Sequence, residues 1–486
     1  MPLQAIMITL VILFAGQATG YLVAYAQPVS VYEDPLDTGE TFEKAPAIVH
    51  LKGILTKTEA YPVDLPSVLK LVDEQNLLVQ RSRFIKRRDK NRLYKSIASS
   101  LPDITGSFTQ SRFRGAIQVF GGQTIDVIRP TIQSQLGASW TIHPGGKRIY
   151  EMLAARRRVK AAKLQVYETR QAQMARAAEE YYTLVEAYLN QEAALKSLEE
   201  AEAQKALNKA RLTVGVGTKL DLIRAEAQAA ERELDLLQAE NQIALAEQAL
   251  LRRLNLDTSI QLEPLDADAV KHRLVDDTTS PDELMKVAVT SHPSLERLRQ
   301  ELKAASSDYK AVRSDILPSI NLSTVVSRTG PQYNETFYGR FAGVTATTNL
   351  LEGLGMAVPA RMWEKRRDRD IKQTELEEQL RTVQTAVVNG LLNSKTFNRS
   401  IDVTQKQYDA ANEGFRLAVG RYKAGVGIQL DVLNAQTDLI AARSALIQAT
   451  QNFNRAQVQL LEAIGRISLE TLTQGLPPKQ EGATDQ

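Results

Sequence analysis

The side chains that could carry chemistry are few in this 486-residue chain, and their spacing forms no catalytic set. The absence of cysteine excludes thiol catalysis, Cys-ligated metals and disulfides. Gly215–Lys219 resembles half of a phosphate-binding loop, but it lacks the second half and does not follow a strand. The four histidines are widely separated, with no H-x-x-x-H pair for a metal; they are His50, His143, His272 and His292. The sequence therefore predicts a non-enzyme without metal or cofactor.

The overall charge is nearly balanced. The chain carries 60 Lys and Arg against 57 Asp and Glu, a net charge of +3. We interpret these charges as spread along the chain rather than gathered into a basic tract. A nucleic-acid partner is therefore not expected.

One glycine-rich motif occurs twice and carries the most distinctive polar residues. Residues 211–225 align without a gap with residues 421–435, and both follow the pattern R-x-x-x-G-x-G-x-x-x-D. A second pair lies upstream, where Leu101–Arg112 matches Leu317–Arg328. Because both marks occur in the same order, the chain is an internal duplication. The positions identical in the glycine-rich pair are Arg211/Arg421, Gly215/Gly425, Val216/Val426, Gly217/Gly427, Leu220/Leu430, Asp221/Asp431 and Ala225/Ala435.

The elements that must position these motifs have the same order in both halves. A leading helix ends at Leu-Pro, two short alternating segments follow, and then a very long proline-free helix runs to the glycine motif, after which a shorter helix returns. The long helix spans about 100 Å and the returning helix about half of that. We therefore expect the leading helix of the other half to stack on the end of the returning helix and complete its length. The predicted helices are Pro66–Ser100, Lys147–Val214 and Leu220–Leu254, then Pro281–Ile316, Arg361–Ala424 and Leu430–Ile464.

The returning helices carry apolar residues at strict 3-4 spacing, with Arg232 as the one exception. Such a seam, with alanine at nearly every second position, is typical of closely packed coiled coils. Helices of a soluble bundle would show the same seam, so it indicates a fold and not a function.

The alternating segments predict strands with one apolar and one polar face. Small hydroxyl and amide residues opposite an apolar face suit strands between lipid and a water-filled lumen, although a half-buried sheet in a soluble domain would also fit. Four strands cannot close a barrel, and an open edge is not tolerated in lipid, so several chains must contribute. The residues predicted to face lipid are Ile132, Leu136, Trp140, Ile142, Ile320 and Leu322.

The N-terminus predicts export. Residues 5–16 are largely apolar and Ala24–Ala26 form an A-x-A site, which is typical of a signal peptide. The region before them has no Lys or Arg, so an uncleaved anchor is the alternative. No later stretch has the ~20 apolar residues of a spanning helix. The predicted segments are a signal peptide (1–26), an N-terminal segment (27–64), a first repeat (65–256), a linker (257–280), a second repeat (281–467) and a polar tail (468–486).

With these features the sequence resembles the TolC-like outer-membrane efflux family over about residues 65–467. The resemblance rests on the Leu-Pro-x-Ile segments at Leu101 and Leu317, on residues 139–146 and 347–353, and on the two glycine-rich motifs. It implies a mainly α fold with a membrane β-barrel portion: an internally duplicated chain whose helical hairpins form a tunnel and whose four strands join a trimeric, twelve-stranded barrel. It also implies a homotrimer in the outer membrane, with outer-membrane lipid around the barrel and the tunnel in the periplasm.

The resemblance also assigns roles to the motif residues. It implies that the glycine-rich motifs form the hairpin tips that dock a periplasmic adaptor, with Asp431 in an acidic ring at the tunnel mouth. Asn434 stands where some members have a second aspartate, and Asp221 is the first-half counterpart of Asp431. The alternative for both aspartates is stabilisation of a helix start. Pro144 departs from the usual family sequence. The tip residues are Arg211, Gly215, Val216, Gly217, Arg421, Gly425, Val426 and Gly427.

Three functions fit these observations. The first is a passive exit duct for small toxic solutes, supplied by an inner-membrane pump or transporter through the adaptor. The second is the exit duct of a protein-secretion system, which would use the same scaffold. The third is a soluble periplasmic adaptor or scaffold, which explains the coiled-coil seams but not the alternating strands.

Overall fold

The structure is a computed structural model, and it describes residues 60–118, 120–265, 270–276, 280–348 and 356–475. The predicted signal peptide and nearly all of the N-terminal segment lie outside these residues, as does most of the polar tail. Within the described ranges, no helix combines the length and apolarity needed to cross a membrane.

Both halves contain the predicted long helix and returning helix. The two long helices have 67 residues each, and the predicted ends at the glycine motifs are confirmed to within one or two residues. The long helix of the second half (Ala357–Lys423) begins four residues earlier than predicted and includes Pro359 in its first turn, where the missing N–H removes no helical hydrogen bond. The helices are α1 (Leu65–Gln75), α2 (Leu77–Ala98), α3 (Lys147–Thr213), α4 (Lys219–Leu254), α5 (Pro281–Ser291), α6 (Pro293–Arg313), α7 (Ala357–Lys423), α8 (Gln429–Ala463) and α9 (Leu469–Gln474).

The single leading helix predicted for each half is wrong, because each is two helices. The side-chain oxygen of Asn76 accepts hydrogen bonds from the backbone N–H groups of Leu78 (2.9 Å) and Val79 (3.2 Å), so it ends α1 and caps α2. In the second half His292 caps α6, and Pro293 is the first residue of that helix.

The prediction that the leading helix of the other half completes the length of each returning helix is also wrong. Helix α2 meets the end of α4 in its own half, where Asn76 Nδ2 donates to the carbonyl of Arg253 at 3.0 Å. Helix α6 likewise begins beside the end of α8: Ser291 Oγ, at the end of α5, donates to the carbonyl of Ile464 at 3.3 Å, and Pro293 at the start of α6 lies beside Gly465. The capped breaks allow this arrangement, because they free α2 and α6 to begin at these helix ends.

The helices lie side by side in a definite order. Helix α3 packs against α2 and α4 on one side and against α6 and α8 on the other, and α7 follows beyond α6 and α8. In each half the long helix and the returning helix form the predicted antiparallel coiled coil. Arg232 is buried within its hairpin, where it pairs with Glu231 and Asp235, at 2.7 Å each.

Four strands form one antiparallel sheet in the order β2 (Asp103–Gln118), β3 (Thr124–Ile142), β5 (Ser319–Gly330) and β6 (Phe337–Thr347). The first hairpin is longer than the second, and its strands continue to pair beyond the end of β5. Pro130 lies in this extension, where one edge of β3 has no partner strand and proline is tolerated. The fourth strand ends at Thr347, and residues 349–355 lie outside the described residues.

The main apolar core lies around the helix breaks. A short parallel pair, β1 (Ala60–Val63) and β4 (Gln261–Pro264), joins the N-terminal segment to the linker there. The linker is held against α8 by two buried side chains: Asn454 accepts from the N–H of His272 at 2.9 Å, and Gln457 accepts from that of Val275 at 2.8 Å. The two repeats are therefore joined through a packed segment.

Candidate functional site

The two glycine-rich motifs form tight turns of the same geometry at the ends of the helical hairpins. Gly215 and Gly425 both have φ of +78°, in the left-handed region that favours glycine. In the first turn the N–H groups of Val216 and Gly217 both donate to the carbonyl of Arg211 at 3.0 Å, which closes the end of α3. The second turn repeats these bonds at the carbonyl of Arg421.

Gly217 and Gly427 are needed within the turn itself. A Cβ on Gly217 would lie 3.0 Å from the backbone N of Leu212, and one on Gly427 would lie 3.1 Å from the backbone N of Tyr422. These contacts are shorter than ordinary van der Waals distances and involve backbone atoms. The sequence does not distinguish an adaptor contact at these glycines from a turn requirement, and the structure supplies the turn requirement.

The apolar residues of the turns point into solvent. Val216 and Val426 are 66% and 71% exposed, and Val214 and Ile428 next to them are also exposed. Exposed apolar side chains grouped at a helix end are typical of a protein contact surface. Their predicted role in docking an adaptor remains a prediction.

The two predicted mouth aspartates have different surroundings. Asp221 is half-buried, and it is bonded to Thr218, whose hydroxyl donates to Oδ2 at 2.7 Å and accepts from the Asp221 N–H at 3.1 Å. Asp431 stands at the same helical position but follows Ile428, which gives no side-chain cap. Both Asp431 and Asn434 are exposed, three residues apart on one face of α8. The helix-start alternative therefore fits Asp221 better than Asp431.

A cluster that the sequence analysis missed connects the two hairpins beside their tips. The guanidinium group of Arg211 lies 4.7 Å over the Tyr422 ring, and its Nη1 donates to the Tyr422 carbonyl at 3.1 Å. The Tyr422 hydroxyl donates to Oδ1 of Asn208 on α3. Burial raises the pKa of the Tyr422 hydroxyl, so it stays a hydrogen-bond donor at neutral pH. We call Asn208, Arg211 and Tyr422 the tip bridge.

Above the tip bridge, polar side chains continue the contact between α3 and α8. Gln204 Nε2 donates to Gln429 Oε1 at 2.9 Å, and Gln436 Nε2 donates to the carbonyl of Ser197 at 3.4 Å. Two buried amide nitrogens in this region, Asn208 Nδ2 and Gln429 Nε2, have no hydrogen-bond partner among the described residues. Unsatisfied buried groups cost about 1–3 kcal/mol each, which makes this contact between hairpins weaker than an apolar one.

The two motif arginines are therefore not equivalent. Arg211 belongs to the tip bridge, whereas Arg421 is exposed. The sequence contains a signal for this difference. The residue after Arg421 is Tyr422, whose ring lies under Arg211, whereas the residue after Arg211 is Leu212, which offers Arg421 no ring. The partner residue Asn208 carries no such signal, since it lies 214 residues from Tyr422 in an ordinary helical stretch.

The strand register places the predicted lipid-facing residues on one face of the sheet. Trp140 is directly opposite Leu322, and Ile142 is opposite Ile320, so these side chains share a face. The opposite face carries Thr141 beside Asn321, whose side chains are 3.4 Å apart. Contact of the apolar face with lipid remains a prediction. Within the described ranges no group of three or more His, Asp or Glu side chains is arranged to hold a metal ion.

Comparison with known proteins agrees with this architecture. The sequence profile of the family described as "Outer membrane efflux protein" matches residues 97–256 and 284–466. The outer membrane efflux protein BepC of Brucella suis biovar 1 is 27% identical over 449 residues, covering 88% of this chain and 91% of BepC. The probable efflux pump outer membrane protein TtgC of Pseudomonas putida is 25% identical over 275 residues, covering 56% of this chain and 55% of TtgC.

Solved structures show the same fold. The outer-membrane channel OprN superposes with a TM-score of 0.74 at 18% identity, covering 87% of this chain and 97% of OprN. The CmeC outer membrane channel of Campylobacter jejuni also gives 0.74 at 18% identity, covering 83% of this chain and 85% of CmeC. The predicted fold class, a helical tunnel with a β-barrel portion, is confirmed. Because the family profile matches well over half of its residues, the chain belongs to the outer membrane efflux protein family.

Proposed function

We propose that three copies of this chain form the outer-membrane exit duct of an efflux system, supplied by an inner-membrane pump through a periplasmic adaptor. The observation that carries the proposal is that the sheet and the helical layer are open at matching edges. The duct conducts passively, and we propose no catalytic role for the chain.

The matching edges follow from the chain connections. Strand β2 follows α2, β3 precedes α3, β5 follows α6 and β6 precedes α7, so the strand order β2-β3-β5-β6 repeats the helix order α2-α3-α6-α7. One edge is therefore β2 above α2 and α4, and the other is β6 above α7. A ring of copies would pair these edges and leave no open strand in the membrane.

Burial agrees with a further partner for α7. Only six residues of α7 are buried, against eighteen in α3, although the two helices have equal length. Large apolar residues of α7 remain exposed, among them Trp363, Ile371, Leu392 and Val403. The opposite edge exposes Leu234 and Leu237 of α4. Apolar surface at both edges supports association of identical chains.

The tips supply the proposed adaptor contact and the proposed gate. Val216 and Val426 offer small exposed apolar surfaces to an adaptor, and Asp431 lines the mouth formed by the three α8 helices. The tip bridge holds the two hairpins of one protomer together and favours the closed mouth. Because the bridge is polar and incompletely satisfied, adaptor binding can separate the hairpins at modest cost.

The proposed cargo is small organic molecules. Relatives of similar identity in Pseudomonas putida are described as outer membrane proteins of an antibiotic efflux pump and of a toluene efflux pump. A relative in Pseudomonas aeruginosa is described as a pyoverdine export outer membrane protein.

Deletion of the gene tests this function. Cells without it should accumulate a fluorescent dye that inner-membrane pumps expel, and a plasmid copy should restore dye efflux. The proteins in the culture medium are compared in the same cells. Unchanged dye content together with loss of a secreted protein would replace small-solute efflux with protein secretion.

A further inference from the structure

The helices next to the sheet contain basic tracts, so the expectation that the charges are spread along the chain rather than gathered into a basic tract is wrong for these helices. Helix α2 alone carries eight Lys or Arg against one acid. On the middle helices, Arg156–Lys163 contains no acid and Lys303–Arg313 contains only Asp308. The end of the helical layer beside the sheet is therefore strongly basic.

The acids on these helices face one side of the layer together with some of the bases, and the remaining bases face the other side. One cavity of about 380 Å³ is lined by Asp89, Arg158, Asp308 and Asp368, which come from four neighbouring helices. Within it Arg158 pairs with Asp308, whose pKa is raised by burial. The charges on this side are therefore largely matched by opposite charges.

In the segments next to the sheet, Arg156–Lys163 and Lys303–Arg313, the other side of the middle helices carries only bases. A separation of two residues is about 200° on a helix, so Arg156 and Lys160 point away from Arg158, and Lys310 points away from Asp308. All six cations on this side are exposed, and none forms an ion pair within the described ranges. We call this set the basic collar: Arg156, Lys160, Lys163, Lys303, Lys310 and Arg313.

The basic collar lies directly beside an apolar zone at the sheet. Ile149 is 59% exposed on the same face of α3 as Arg156, and Ile316 and Leu317 are 60% and 50% exposed just after α6. From the helix ends nearest the sheet, Lys310 is about 5 Å away along the helix and Arg156 about 14 Å. An apolar zone followed by cations is the order found where a membrane surface meets water.

The position of the collar within the protomer leaves it outside the proposed contacts between copies. It lies on α3 and α6, the middle helices, whereas association through the proposed edges covers α2, α4 and α7. Like charges spaced three and four residues apart on one helix repel each other, so the stretch from Arg156 to Lys163 is stabilised by an external anion.

We propose that the basic collar binds the acidic headgroups of the phospholipid leaflet that borders the helical layer. This inference rests on the proposed membrane position of the sheet. The collar selects lipids with a net negative headgroup over zwitterionic lipids, and it holds the channel at a defined depth.

The two tryptophans of the chain, Trp140 and Trp363, allow a direct test. Trp140 lies near the helix-side end of β3, and Trp363→Phe leaves it as the single fluorescent reporter. The full-length protein is reconstituted in two sets of phosphatidylcholine vesicles. One set contains brominated phosphatidylglycerol, and the other contains the same fraction of brominated phosphatidylcholine. Bromine quenches Trp140, so the ratio of the two quenching curves reports which lipid is preferred beside the collar.

We expect a preference for phosphatidylglycerol of roughly fivefold, which falls as salt is raised. Replacing Arg156, Lys310 and Arg313 with glutamine should bring the ratio close to one, and replacing Lys310 with arginine should not change it. The matched control replaces three exposed lysines at the tips with glutamine, namely Lys209, Lys219 and Lys423.

Equal quenching of Trp140 by the two brominated lipids, in the protein that keeps all collar residues, would overturn the proposal. Sedimentation with purified cell-wall sacculi is measured in parallel, and binding that requires the collar without any lipid preference would assign it to a wall polymer instead. Loss of vesicle conductance in every arm would contradict the proposed channel and not the collar, which separates the two failures.

Discussion

At the scale of single residues, the structure adds a contact that no local pattern indicates. The Tyr422 hydroxyl and the Arg211 guanidinium join two hairpins whose sequences lie far apart. Neutral hydrogen bonds between buried side chains stabilise by about 1 kcal/mol, and the loss of one partner costs more because the other stays buried and unsatisfied. In the proposed channel, a mouth held closed by so few contacts would open when the adaptor binds.

Tyr422→Phe should shift the mouth towards its open state. The change removes the hydroxyl that donates to Asn208 but keeps the ring under Arg211, so we expect an increase of about 5- to 100-fold in the ratio of open to closed channels. Single-channel recording in planar bilayers measures this ratio. Tyr408→Phe on the same helix is the control, and an unchanged open probability in Tyr422→Phe would show that the bridge does not govern opening.

Asp431 should determine how strongly cations block the mouth. Asp431→Ala should weaken block by divalent and trivalent cations, because an exposed carboxylate ring attracts them. Asn434→Asp adds a carboxylate one turn further along the same face and should strengthen the block. Bilayer conductance is titrated with each cation, with Asp221→Ala as the control. If block is unaltered in both variants, Asp431 serves only the start of α8.

At the scale of elements, each tip turn combines two separable features. Its glycines are required by backbone geometry, whereas its valines are 66% and 71% exposed. Substitution of Gly427 would disturb the turn itself and cannot isolate an adaptor contact. Substitution of a valine can.

The double variant Val216→Gln, Val426→Gln should lower export at least about tenfold, because loss of a small buried apolar contact at an interface costs about 1–3 kcal/mol. Trimer yield and bilayer conductance should stay unchanged. Dye efflux in cells measures export. Leu195→Gln, an exposed apolar position on α3 away from the tips, is the control. Normal efflux in the double variant would remove the valines from adaptor docking.

At the scale of whole assemblies of elements, the described helices and strands between residues 60 and 475 form a layer with two unlike edges. Among the described residues, the edge formed by β2, α2 and α4 and the edge formed by β6 and α7 are both uncovered. Because strands and helices follow the same order, each edge of the sheet lies above the corresponding edge of the helical layer. Edges of this kind produce a closed ring when the rotation between copies is right.

The absence of native cysteine makes this arrangement testable by cross-linking. Leu237 on α4 and Val403 on α7 are both exposed, at about 27 Å and 30 Å from the tip ends of their helices. Leu237→Cys combined with Val403→Cys should give covalent dimers and trimers on mild oxidation in membranes. Each single variant is the control, and a chain that stays monomeric by denaturing electrophoresis and in detergent by light scattering would refute the ring.

The sequence by itself determined what depends on neighbours along the chain. The duplication, the long helices and the turn glycines follow from spacing of apolar residues and from glycine at positive φ, which are local properties. The breaks at Asn76 and His292 were missed, although both act through local caps, because a capping side chain within a helical pattern gives a weak signal.

Only the tertiary structure decided which distant segments meet. The stacking of α2 on α4 within one half, the tip bridge between Asn208 and Tyr422, and the separation of Arg158 from the basic collar all depend on helices far apart in the sequence. Periodicity states that a helix has an apolar face but not which helix covers it, because many partners offer similar apolar surface. The partner is selected by the combined packing of all elements, and the polar contacts that distinguish one pairing from another exist only after that packing is complete.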